Sequence, residues 1–188
     1  MGSSSSVPAL KAMATPIPGG ANAVMGYWFV QGVVPTIFET NAYNSLEHYE
    51  WLDQPAGKLR VTFKYRSGDY DGVKGKMSSE STVLQDGNVV NVATGAEWRV
   101  RPRLGGCPMP VSLPYIILQA DPASHMVVGY PDRSYLWIMS RMPKMDEELY
   151  AGLVKQSVEE WGYDVEKIQR VRQFWDDKDF PASPMAAE

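Results

Sequence analysis

Residues 125–143, HMVVGYPDRSYLWIMSRMP, decide the fold. Met126-Val127-Val128 is a short apolar run, Gly129-Tyr130-Pro131-Asp132 is a turn, and residues 135–139 are a second run. β-Branched and aromatic residues favour a pleated surface and Gly and Pro punctuate it, so the stretch reads as two strands joined by a turn. Arg141 closes the second run, and a helix is expected straight after Pro143. Upstream, the alternation predicts six more strands, over residues 25–34, 43–52, 58–65, 73–84, 96–103 and 115–120. Asp71-Gly72 and Asp86-Gly87 read as the turns on either side of the fourth. Residues 105–114 carry Pro108, Pro110 and Pro114 and read as a loop. Consecutive strands with short turns imply a meander, and a long meander hides its edges by closing on itself. The expected fold is all-β: an eight-stranded antiparallel up-and-down β-barrel with one C-terminal α-helix packed outside. Eight strands leave an interior wide enough for one small ligand.

The helix is predicted over residues 144–161. Asp146, Glu147 and Glu148 occupy its first turn, where negative charge suits the helix dipole. Leu149, Tyr150, Leu153, Val154, Val158 and Trp161 recur at three- and four-residue steps and make one apolar face. Gly162 supplies the stop, and residues 165–173 read as a last short strand. Residues 1–22 are expected to be a flexible N-terminal tail, residues 23–173 the domain and residues 174–188 a C-terminal tail. The first 22 residues lack the apolar core of a secretory signal and the cysteine of a lipoprotein anchor, which leaves the compartment open.

Composition narrows the function. A net charge of −4 argues against a nucleic-acid partner. The single cysteine, Cys107, excludes an intramolecular disulfide. His48 and His125 lie far apart and no Cys/His cluster has ligand spacing, so no metal and no cofactor are expected. No nucleophile elbow, zinc-protease helix, phosphate loop or dinucleotide fingerprint occurs, so no enzymatic activity is expected. Cys107 sits in a Pro/Gly loop and reads as an inert thiol, although Arg101 and Arg103 are near in sequence. Asp69, Asp71, Lys155, Glu159 and Glu160 read as solvated charges.

Gly26-Tyr27-Trp28 opens the first strand and a lone Arg141 ends the eighth. The pair resembles the signature of the lipocalins. The resemblance is nearest to the bacterial outer-membrane lipocalin and the plant temperature-induced lipocalins. Those share the Gly129–Arg133 turn, the Tyr135-Leu136-Trp137-Ile138 strand, Ser140-Arg141 before a proline, the helix, and the phrase Gly162-Tyr163-Asp164-Val165. The likeness covers roughly residues 24–173. It implies that Gly26, Trp28 and Arg141 are structural, with the guanidinium laid across the indole to seal one barrel end. The segment at residues 86–95 reads as an insert relative to that family.

The resemblance also implies a binding role for a small hydrophobic ligand such as a fatty acid, lysophospholipid, sterol or carotenoid. Strand parity then sorts the walls. With Trp28 inward, Val30 and Gly32 follow. With Arg141 inward, Met139, Trp137 and Tyr135 follow, while Leu136, Ile138 and Ser140 face the helix. With Tyr115 matched to the family's inward tyrosine, Ile117 and Gln119 follow. The expected ligand-binding residues are Val30, Phe38, Phe63, Met77, Trp98, Tyr115, Ile117, Tyr135 and Trp137, with Phe38 as a lid at the mouth. Two other readings stay open. One is a lipocalin-fold enzyme acting on a lipid or carotenoid, which needs an ionisable residue inside the barrel, with Glu47, Glu80 and Glu97 as the residues to test. The other is a subunit of a larger assembly, using residues 86–95 and the tails. A membrane surface touched through the mouth is a further expected contact.

Overall fold

The computed structural model describes residues 7–37, 39–73 and 75–175. The strands are β1 (Gly26–Val34), β2 (Ala42–Asp53), β3 (Lys58–Ser67), β4 (Ser81–Asn91), β5 (Glu97–Leu104), β6 (Cys107–Pro108), β7 (Leu113–Asp121), β8 (His125–Gly129), β9 (Leu136–Ser140) and β10 (Gln169–Arg170). The sheet order is β10-β1-β2-β3-β4-β5-β7-β8-β9, and β1 also pairs with β9. That last pairing closes an eight-stranded antiparallel up-and-down barrel, as expected. The two-residue strands β6 and β10 lie outside the ring, on β5 and β1.

The helix α1 (Glu147–Glu159) is shorter than predicted. Asp146 caps it by accepting from the Glu148 and Leu149 amides, so residues 144–146 stay outside. Leu153 faces Val34, Ile116, Val127, Leu136 and Ile138 on the outer wall. Gly129 ends β8 where a side chain would strike the Tyr163 hydroxyl at 2.6 Å. That hydroxyl donates to the Tyr135 carbonyl at 2.9 Å, tying the chain after the helix to the β8–β9 turn.

Two β-bulges correct the parity reading. A bulge between Val30 and Gly32 lets Val30 and Val33 share the interior. Gly32 turns to the helix instead, where a Cβ would lie 2.7 Å from the Tyr150 hydroxyl. A second bulge, between Ile117 and Gln119, keeps Ile117 inside and sets Gln119 opposite Val127 of the outer cluster.

The fourth strand also differs from its prediction. Asp86-Gly87 is mid-strand, not a turn. Gly87 faces inward opposite Leu59, whose Cγ would lie 2.8 Å from an added Cβ. Asp86 faces outward and bridges Arg60 at 3.0 Å and Arg103 at 2.6 Å. Residues 86–91 are therefore part of the barrel wall. Met77, placed on this strand by the alternation, lies in the loop before it.

Neither described terminal segment hangs free. The amides of Leu10, Met13 and Ile17 donate to the carbonyls of Pro131, Ile117 and Thr94. Ile17 is buried in the core, so the part of the expected 1–22 tail that is described, residues 7–22, lies docked on the barrel. At the other end, Gln173 Nε2 bridges the Val30 and Ser45 carbonyls at 2.6 and 3.1 Å, and Trp175 packs edge-on against Phe29. These contacts fill the gap left where β1–β2 pairing ends at Phe29 and Leu46.

The floor is sealed as the signature implies. Gly26 has φ 91°, a conformation that favours glycine. Trp28 is fully buried and donates its indole N–H to the Val24 carbonyl at 2.8 Å. Arg141 Cζ stands 3.7 Å from the Trp28 ring centroid. Its three nitrogens donate to the carbonyls of Pro122, Tyr27 and Ala23, each at 2.9 Å. Burial lowers its pKa to about 10, so it stays charged at neutral pH. Lysine cannot reproduce this planar fork. Arg141→Lys is therefore expected to cost about 2–4 kcal/mol in urea unfolding, with the m-value unchanged. A loss below about 0.5 kcal/mol would show that the seal is incidental to stability.

Candidate functional site: a half-filled barrel

The lower half of the barrel is packed solid. Trp28, Val30, Leu59, Trp98, Ile117 and Met139 are fully buried there. Trp98 donates its indole N–H to the Gly95 carbonyl at 2.7 Å and stacks beneath Tyr115 at 5.5 Å. Above it the rings continue toward the mouth: Tyr115 to Trp137 at 5.9 Å, Trp137 to Tyr135 at 6.1 Å, and Tyr135 to Tyr130 at 5.3 Å. Beside this file of rings lies a cavity of about 290 Å³.

Phe63, Val100, Leu113, Tyr115, Tyr135 and Trp137 form its apolar wall, and Ile37, Met109, Val111 and Tyr130 stand around its opening. Four of the nine expected residues thus line it: Phe63, Tyr115, Tyr135 and Trp137. Val30, Trp98 and Ile117 belong to the packed floor beneath. Met77 is in the β3–β4 loop and does not line the cavity, and Phe38 lies outside the described residues. A wider concavity of about 480 Å³ on the outer wall is lined by charges such as Arg60, Asp86, Arg99 and Arg103, and lacks this aromatic lining.

Two carboxyl groups line the cavity. Glu47 shares the inward parity of Tyr49 on β2. Its Oε2 accepts from the Tyr115 hydroxyl at 2.9 Å and from Tyr49, and the two hydroxyls also bond each other. Three oxygens thus make three contacts, while two phenols supply only two protons. A protonated Glu47 completes the set and an ionised one leaves a contact without a proton. Burial raises the Glu47 pKa to about 7, outweighing the two phenol hydrogen bonds, which by themselves favour the ionised form. Glu39, in the β1–β2 loop, accepts from the Trp137 indole at 2.7 Å and from the Thr36 amide at 2.9 Å. Burial raises its pKa as well, against those hydrogen bonds.

Of the three acids considered from the sequence, only Glu47 points inside. Glu80 pairs with Lys64 at 3.0 Å, and Glu97 stands opposite Ile116 on the outer face. Glu39 escaped the sequence reading because a loop carries no parity. Glu47 was legible: it shares a face with Tyr49 and Trp51, an aromatic pair that marks the inner side. Among the described residues, no cluster of three or more His, Cys, Asp or Glu could hold a metal ion. Cys107 is exposed on β6.

Comparison with known proteins bears on this arrangement. Temperature-induced lipocalin-1 of Arabidopsis thaliana is 47% identical over 66 residues, a match spanning 35% of this chain and 35% of that protein. The chain thus spans about a third of the length of the curated relative it matches. Among solved structures, insecticyanin of Manduca sexta superposes with a TM-score of 0.61 at 16% identity, covering 92% of this chain and 90% of that one. The amine binding protein of Rhodnius prolixus, solved with tryptamine, gives 0.58 at 12% identity, covering 87% and 86%. H1 crustacyanin of the lobster Homarus americanus gives 0.58 at 13%, covering 89% and 90%. At these identities the structural likeness speaks to the fold. A family model, the lipocalin-like domain, matches residues 21–173, and the chain belongs to that family.

Proposed function

We propose that this protein is a carrier that binds one small hydrophobic molecule in the mouth-side cavity. The observation that carries the reading is the division of the barrel. Its floor is packed and sealed, while its upper half holds an aromatic-walled void open at one end. Such a void binds by removing apolar surface from water, worth about 25 cal/mol per Å² before ordering costs. Its volume, about 290 Å³, falls just below the roughly 300–1,000 Å³ range of ligand pockets. That favours a compact ligand, or one end of a longer fatty acid, lysophospholipid, sterol or carotenoid whose remainder projects through the mouth. A role in stress responses rests only on the 66-residue likeness to a temperature-induced lipocalin.

Glu47 gives a second reading some support. A buried acid with a pKa of about 7 beside a cavity is suited to general acid–base chemistry on a bound lipid. Recovery of the ligand chemically unchanged after incubation supports the carrier over the enzyme. A subunit role in a larger assembly remains the third reading; residues 86–91 are wall and residues 7–22 dock on their own barrel, which leaves the exposed Val90 and Val92 as its contacts to test.

One outcome tests the carrier and a second tests the buried acid at its cavity. A neutral naphthyl fluorophore should bind the native protein and quench tryptophan emission. Leu113→Trp, which fills the cavity from β7, should weaken that binding about ten-fold or more while the fold persists by circular dichroism. Unchanged affinity in that variant would place the site elsewhere. The second outcome concerns stability. Glu47 has a folded pKa near 7 against an ordinary value of 4.5. The native state therefore holds the extra proton between those limits. The stabilisation is fully present below pH 4.5 and is lost as pH rises through about 7, on the order of a few kcal/mol. Glu47→Gln should flatten that slope and raise the melting temperature at about pH 8. A variant that keeps the native slope would show that Glu47 does not set it.

A further inference from the structure

The proposed ligand cavity has one chemical property that the binding of hydrophobic molecules in general does not require. Two acids, Glu39 and Glu47, line it, and none of its described lining residues is a lysine, arginine or histidine. Both acids are almost wholly buried, at 4% and 3% exposure. Above about pH 7, where Glu47 is ionised, a carboxylate entering this space would meet like charge and no counter-ion among the described lining residues, and an unpaired buried charge is costly. A cation meets the opposite situation. The rings of Tyr115, Trp137 and Tyr135 stand beside the two acids, and aromatic faces attract ammonium groups. An ammonium is also a multiple donor, so it can supply the proton that the Glu47–Tyr49–Tyr115 triangle lacks once Glu47 ionises.

Resting on the carrier reading, we propose that the cavity selects an amphiphile with an organic ammonium head. The head enters first and lies between Glu39 and Glu47 against the Tyr115–Trp137 wall, and carboxylate-headed amphiphiles are discriminated against. Glu39 and Glu47 are then the specificity-determining residues.

The titratable groups around Glu47 are Tyr49 on β2, Tyr115 on β7, Glu39 from the β1–β2 loop, and Tyr130 and Tyr135 of the β8–β9 turn. Arg141 influences Tyr49 from the floor side. Both tyrosines bonded to Glu47 titrate well above neutral pH, so the acids set the response there. Alkylammonium affinity should rise between about pH 6 and about pH 8, as Glu47 ionises while an amine of pKa about 10 stays charged.

The test is calorimetric titration of the whole chain at about pH 8 with n-decylamine, n-decanol and n-decanoate, all below micelle-forming concentrations. Decylamine should bind at least about ten-fold more tightly than decanoate, with decanol between them. Glu47→Gln and Glu39→Gln should each weaken decylamine about ten-fold and leave decanol within about two-fold. Decanoate binding as tightly as decylamine, or decylamine unaffected by both substitutions, overturns the head-group assignment, while bound decanol leaves the carrier standing. Failure of all three probes overturns both. Should a variant not fold, the wild-type pH series decides, and decylamine affinity that is flat or falling from about pH 6 to about pH 8 overturns the assignment.

Discussion

Hydrogen bonds close a barrel around its circumference and do nothing for its two ends. At one end of this barrel the Arg141 guanidinium lies 3.7 Å from the Trp28 ring centroid and binds three backbone carbonyls. Those carbonyls come from Ala23, Tyr27 and Pro122, so one side chain from the end of β9 ties together the entry to β1 and the β7–β8 turn. With that end shut, apolar side chains can fill the lower interior without water reaching them. The same seal lets the other end stay partly empty, since a void is tolerable when the rest of the core is close-packed.

Much of this was written in the chain. Trp28, Arg141, the hairpin at residues 125–143 and the apolar face of α1 are strong local signals, and each predicted strand lies in or overlaps an observed one. What local pattern could not convey was register. Gly32 and Gln119 went to the wrong face because one extra residue in each of two bulges shifts the parity of everything beyond it. Asp86-Gly87 has the composition of a turn. Its glycine is required by Leu59 across the sheet and its aspartate by Arg60 and Arg103, and these long-range causes leave no local trace. The same holds for Ile17 and Gln173, whose segments look like tails until the surfaces they cover are known.

The site was legible to a similar degree. Strand alternation and the family resemblance led to Phe63, Tyr115, Tyr135 and Trp137. They did not reveal how deep the packed floor rises, so Val30, Trp98 and Ile117 were assigned to a cavity that begins above them. Nor did they give weight to Glu47 and Glu39, the two groups that set the cavity's chemistry. Placing carboxyls where water is scarce opposes folding, and an apolar residue of similar size would pack there at lower cost. Both carboxyls instead stand beside the aromatic-walled void, so their cost falls on the part of the interior that is left unfilled.

The division into a packed floor and an open upper chamber can be read directly from the indole N–H resonances of the six tryptophans. Trp137 donates to Glu39 at the cavity wall, and Trp28 donates to Val24 under the Arg141 seal. On saturation with a neutral hydrophobic ligand, the Trp137 resonance should move and the Trp28 resonance should stay where it is. A bound ligand that shifts Trp28 and leaves Trp137 untouched would contradict a sealed floor beneath a mouth-side chamber.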